Sequence, residues 1–129
     1  MTSWVETTIP PGYRVLQDWD AVEESWCWFS YTENRETCKY GFRTRSECCR
    51  AAWRHWTASI LRDRDVLWKV TPEVLEASIT TGDHYVFIDL YNAEFRSGIH
   101  DYIVGDCHGV ITDDVDEAMA RFAALALVS

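Results

Sequence analysis

No stretch of this chain approaches the ~18 consecutive apolar residues that a membrane-spanning helix requires, so the sequence excludes a helical membrane protein. The segment Met1-Thr2-Ser3-Trp4-Val5-Glu6 has neither the basic region nor the apolar core of a secretory signal. Cysteines come in an odd number, five, at positions 27, 38, 48, 49 and 107. That fits reduced thiols better than a disulfide framework, and the expected compartment is the cytoplasm.

Catalytic and metal motifs are missing as well. There is no Cys-x-x-Cys pair; Cys48-Cys49 and Cys107-His108 are immediate neighbours. A tetrahedral zinc ion takes ligands spaced two to four residues apart, and adjacent residues on a helix point about 100° apart. Asp89, Glu94 and Asp101 lack the spacing of a calcium loop. No metal site is therefore expected. A Gly-rich phosphate loop, a nucleophile elbow, a zincin motif and a dinucleotide fingerprint are all absent. Their absence weakens the case for an enzyme, and no cofactor is expected.

An excess of positive charge is also lacking. The net charge is −9, and it is unevenly spread. Residues 1–34 carry one Arg against six acids, and residues 35–69 carry nine basic residues against four acids. Residues 70–129 carry two Arg against eleven acids. General nucleic-acid binding is disfavoured, because the acidic parts repel phosphates well beyond contact range.

What is present points to one folded domain. The 129 residues are 47% apolar and 14% aromatic, with seven Trp, and a chain of this length buries roughly two-thirds of its unfolded surface. No low-complexity segment or linker interrupts it, so residues 1–129 read as a single α+β domain.

Pro10-Pro11-Gly12 ends an N-terminal arm, and Tyr13 to Leu16 reads as a short strand. The aromatic run Trp26 to Tyr31 and the segment Cys38 to Phe42 flank a turn signal at Glu33-Asn34, which predicts a β-hairpin. Thr44-Arg45-Ser46-Glu47 matches a capping box. Cys49, Ala52, Trp53, Trp56 and Ile60 then recur on one helical stripe as far as about Arg62, with Arg50, Arg54 and Thr57 on the other side. Asp65 to Val70 reads as either a strand or a connection. Thr71-Pro72-Glu73 has the chemistry of a second helix start, predicting a short helix that ends near Thr80-Thr81-Gly82-Asp83. Tyr85 to Tyr91 is the strongest strand and is expected to be central. Ile99 to Val104 reads as a weaker strand, with a turn at Gly105-Asp106 and a return through Gly109-Val110-Ile111. The last helix starts at Thr112 or Asp113 and buries Val115, Ala118, Met119, Phe122, Leu125 and Ala126.

The expected fold is therefore α+β: a small antiparallel sheet with two main helices, arranged as two ββα-like halves. Gly41-Phe42-Arg43-Thr44 and Gly109-Val110-Ile111-Thr112 introduce the two main helices similarly. The ordinary capping role of both Thr residues favours shared turn chemistry over duplication as the cause.

Two surfaces are candidates for function. Arg43, Arg45, Arg50, Arg54, Arg62 and Arg64 cluster around the first helix. They form either a solvated face, a grip for an anionic ligand or acidic partner, or a face that pairs with acidic segments of this chain or a second copy. On the acidic side, Asp113, Asp114, Asp116 and Glu117 suit a helix N-terminus by ~0.3–1 kcal/mol each. Glu94, Asp101 and Asp106 have no such explanation. The leading expectation is an acidic protein-binding module that occupies the basic, nucleic-acid-binding surface of a partner, without binding nucleic acid or membrane itself. Glu94, Asp101, Asp106, Asp113, Asp114, Arg50 and Arg54 are its candidate contact residues, and a homodimer is compatible with the opposed charges. Phage proteins that block host defence, anti-CRISPR proteins among them, share this profile by analogy. The rival expectation is a small enzyme or anionic-ligand binder. It would use the Arg cluster at 43–64, or the loop at 100–108 with His100, Asp106, Cys107 and His108.

Overall fold

The structure is a computed structural model, and it describes residues 3–32, 35–70, 75–81, 84–91, 94–101 and 106–128. The chain divides into two compact units, Met1–Trp56 and Thr57–Ser129. Each contains an antiparallel sheet and helical residues, as expected of an α+β chain.

The first unit begins with a 3-10 turn at Trp4–Glu6. A tight turn then leads into the first sheet. The amide of Tyr13 donates to the carbonyl of Pro10 at 3.1 Å, and Gly12 has φ of 79°. Pro11 and Gly12 thus hold the two central positions of a type II turn, the second of which requires positive φ. Strands β1 (Tyr13–Gln17), β2 (Trp26–Thr32) and β3 (Arg35–Phe42) follow in the spatial order β1-β2-β3, with β1↔β2 pairing Val15 with Trp28. The β2-β3 hairpin is the one the aromatic run predicts.

Helix α1 (Arg45–Arg62) starts as its cap requires, with the Glu47 amide donating to Thr44 Oγ1 at 3.2 Å. Its stripe is buried at Cys49, Ala52, Trp53 and Trp56, and Cys48 is buried beside it. Thr57, expected on the solvated side, is 6% exposed instead. The reason is helical geometry: position 57 is four residues after Trp53, only about 40° round the helix from it.

Edge-to-face aromatic contacts hold this unit together. Trp4 meets Trp53 at 4.8 Å and Trp53 meets Trp56 at 5.2 Å between ring centres. Such pairs add ~0.5–1.5 kcal/mol beyond their buried area. Trp53 Nε1 also donates to the Thr8 carbonyl at 3.0 Å, which ties the N-terminal arm to the helix. The His55 ring stacks on Trp28 at 4.5 Å, and its Nδ1 shares a hydrogen bond with the Tyr13 hydroxyl.

The second unit is a five-stranded antiparallel meander, β4 (Leu67–Val70), β5 (Leu75–Thr81), β6 (His84–Tyr91), β7 (Glu94–Asp101) and β8 (Asp106–Thr112), in sequential order. As expected, the strand around Tyr85–Tyr91 is central. Helix α2 (Val115–Val128) packs on one face of this sheet. Ala118, Phe122 and Ala126 of α2 meet Ala77, Ile79, Val86 and Ile88 of β5 and β6, with Met119 and Leu125 partly buried alongside. Val115, expected in the stripe, is 48% exposed.

Two expectations are corrected here. Leu75–Thr81 is a strand, not the body of a helix. Leu75, Ala77 and Ile79 alternate with Glu76, Ser78 and Thr80, and this period of two decides the outcome. The apparent helix start at Thr71-Pro72-Glu73 lies outside the described residues. The next strand begins at Glu94, five residues before the expected Ile99, because Phe95, Ser97 and Ile99 continue the alternation of the sheet. Residues 102–105 lie outside the described residues, and Asp106 opens β8.

Candidate binding surfaces

Strand alternation sends Val86 and Ile88 toward α2 and their neighbours Tyr85, Phe87 and Asp89 to the other face of the sheet. Antiparallel register then builds cross-strand rows on that second face. Glu76, Asp89, Arg96 and Ile111 form one row; Ser78, Phe87, Gly98 and Gly109 form the next; Thr80, Tyr85 and His100 lie in the third.

A cleft of about 430 Å³ lies over these rows, bounded by Leu67, Glu76, Ser78, Thr80, Tyr85, Phe87, Asp89, Arg96 and His100. Its polar lining includes the ion pair Asp89–Arg96. Arg96 donates from Nη2 to Oδ2 at 2.8 Å and from Nε to Oδ1 at 3.3 Å. This two-point contact fixes the guanidinium plane, which a lysine would not do. The same guanidinium lies 5.3 Å from the centre of the Phe87 ring. Phe87 is consequently only 6% exposed although it faces away from α2. Tyr85 adds a shelf, 6.0 Å from Phe87 and 5.1 Å from His100. The stem of Arg96 crosses β8 closely: a Cβ on Gly109 would stand 3.1 Å from Arg96 Cγ.

Sequence reasoning missed Arg96 and the cleft. The alternation of Tyr85, Phe87 and Asp89 is visible in the sequence, but Arg96 joins them only once β7 starts at Glu94.

The acidic candidates fall into two groups. Glu94 and Asp113 are exposed, and they flank the register pair Phe95↔Thr112 at one end of the sheet. Asp114 stands beside Asp113 but is committed to α2: its Oδ1 accepts from the amides of Asp116 and Glu117 at 3.0 and 3.1 Å. Asp101 and Asp106 pair with each other at the opposite end. Seven residues along β7 separate Glu94 from Asp101, roughly 23 Å of strand. For Asp101, Asp106, Cys107 and His108 the structure describes the backbone alone, so the expected chemistry of the 100–108 loop falls outside the described side chains except at His100.

The basic candidates also separate. Arg50 donates from Nη2 to Glu6 Oε1 at 2.8 Å, with both side chains mostly covered. It clamps the 3-10 turn to α1 within the first unit. Arg54 is exposed one helical turn further on. Arg62 and Arg64 belong to the second unit, and Arg64 donates to the Ile60 carbonyl at 2.6 Å, at the C-terminal end of α1.

Four thiols are described, and all are unbridged. Burial pushes the Cys48 thiol up to about 12, and it also raises Cys49 and Cys27. These thiols are protonated and poor nucleophiles at neutral pH. Among the described residues, no group of three His, Cys, Asp or Glu side chains is placed to hold a metal ion, and no helix is long and apolar enough to cross a membrane.

Comparison with protein-family models, with curated proteins and with solved structures gives no match.

Proposed function

We propose that the chain is an acidic protein-binding module that occupies a basic surface of a protein partner, a surface of the kind that otherwise takes nucleic acid. The observation that carries this reading is the segregation of charge between the two units. Residues 57–129 hold thirteen acids against five Lys and Arg, whereas residues 1–56 hold eight against seven. Self-repulsion within one unit opposes folding, and complementary charge on a partner relieves it. Glu94 and Asp113 at one end of the sheet, with Asp101 and Asp106 at the other, are the contact positions. An inhibitor of the phage anti-defence type would have this profile, by analogy.

The test is capture. Immobilised protein should retain a basic protein at low salt, release it as salt rises, and lose it to added duplex DNA. Retention that is insensitive to both salt and DNA would refute the proposal. The cleft of about 430 Å³ favours a second reading, a small-ligand binder that uses Tyr85, His100 and the Asp89–Arg96 pair. A ligand that protects the unit against heat without affecting partner capture would support it.

A further inference from the structure

Among the described residues the two sheets have four edge strands: β1 and β3 in the first, β4 and β8 in the second. An open edge invites pairing with another chain, and proteins usually guard it with charge, proline or a very short strand. Three of the edges are guarded in this way. Arg14 lies within β1, Lys39 within β3, and Lys69 within β4, which has only four residues. Strand β8 differs. It has seven residues, Asp106-Cys107-His108-Gly109-Val110-Ile111-Thr112, with no Lys, Arg, Asp, Glu or Pro after its first position. Val110 is 46% exposed and Ile111 is 58% exposed. As successive strand residues they belong to opposite faces, so the edge is apolar on both sides.

We propose that β8 is the seam of a homodimer, pairing antiparallel with β8 of a second copy about a two-fold axis at Gly109. An antiparallel strand pairs with its own copy only when the axis passes through a residue position, and Gly109 is the centre that uses all seven. That register sets Asp106 opposite Thr112, Cys107 opposite Ile111, His108 opposite Val110 and Gly109 opposite itself. No acid faces an acid, and the closest approach at the axis involves no side chain. The five-stranded sheets of the two copies become one continuous sheet, and the interface is isologous. A single strand pair buries well under the ~1,000 Å² of a tight interface, so the dimer is weak.

Electrostatics gives this seam a signature. Each copy brings an acidic second unit, so the two repel at low salt. Screening shortens that repulsion from about 10 Å at 0.1 M to about 3 Å at 1 M. Dimerisation therefore strengthens with salt, the opposite of the dependence proposed for the basic partner.

The experiment is sedimentation velocity of the full chain up to about 1 mM protein, a concentration chosen for a weak dimer, at low and high salt. It is paired with amide hydrogen exchange on dilute and concentrated samples. The dimer fraction should rise with salt, and the alternate amides of β8 that do not bond to β7 should gain protection with concentration. Val110→Lys and Ile111→Lys should each leave the chain folded, as judged by its melting curve, and lower self-association at least tenfold. Each adds positive charge to an acidic molecule, so a purely electrostatic effect would run the other way. A chain that remains monomeric under all these conditions overturns the proposal. So does a dimer that both variants retain, or one whose protection appears away from β8.

Discussion

Trp53 and Trp56 show what a single residue contributes. They sit on the α1 stripe at 9% and 7% exposure, in contact with each other, and Trp53 also anchors the arm through Thr8. Replacing either with Ala should destabilise the protein by ~3–5 kcal/mol, read from a denaturant or thermal melt. An unchanged melt would place the ring in solvent. The thiols divide by burial. Unfolded protein should show five reactive thiols without reductant. Among the four described thiols, Cys38, which is exposed, should react first in the native state, with Cys27, Cys48 and Cys49 far slower. The raised Cys48 value has a sign for stability. The unfolded thiol loses its proton near ~8.5, while the folded one holds it to about 12. Stability is therefore intact below the first value and falls as pH rises through the window between them. Melts from pH 8 to 10 should show a decline that Cys48→Ala lessens. Both Trp residues were legible from the 3.6-residue stripe. Cys48 stands one position off that stripe, and its burial follows instead from the general tendency of free thiols to be buried.

Helix starts were the most readable elements, and they also produced the largest error. Thr44 caps α1, and Asp114 caps α2 with two amides on one carboxylate oxygen. Asp114→Ala should cost ~0.5–2 kcal/mol and Thr44→Ala a similar amount, while Asp114→Asn should recover most of the loss. An Asp114→Ala variant as stable as the parent would mean that the cap contributes nothing. The sequence pointed to Thr112 or Asp113 as the start of α2. Thr112 has a related role: its Oγ1 accepts from the Asp114 amide at 3.1 Å. Thr71-Pro72-Glu73 has the same start chemistry, yet strand β5 begins at Leu75. Local capping signals are cheap, and the sheet is held by non-local register that no short window contains. The cleft was hidden for the same reason: Asp89 and Arg96 are seven residues apart and meet only across β6 and β7.

At the scale of the whole molecule, charge is the property that the fold organises most. The sequence showed an acidic excess after residue 70 but could not show its placement. Glu94 and Asp113 gather at one end of the five-stranded sheet and Asp101 and Asp106 at the other, separated by more than two Debye lengths at physiological salt. The Arg cluster loses Arg50 to an internal pair with Glu6, so the acidic unit is the better candidate for the partner surface. The most direct test is the affinity for the captured partner against salt, for the parent chain and for a variant with Glu94→Lys, Asp101→Lys, Asp106→Lys and Asp113→Lys combined. The parent should lose affinity steeply with salt. The variant, once shown to fold, should bind at least tenfold more weakly at low salt, a loss of ~1.4 kcal/mol, mainly through a slower on-rate. A folded variant that binds as tightly as the parent at low salt would contradict the account.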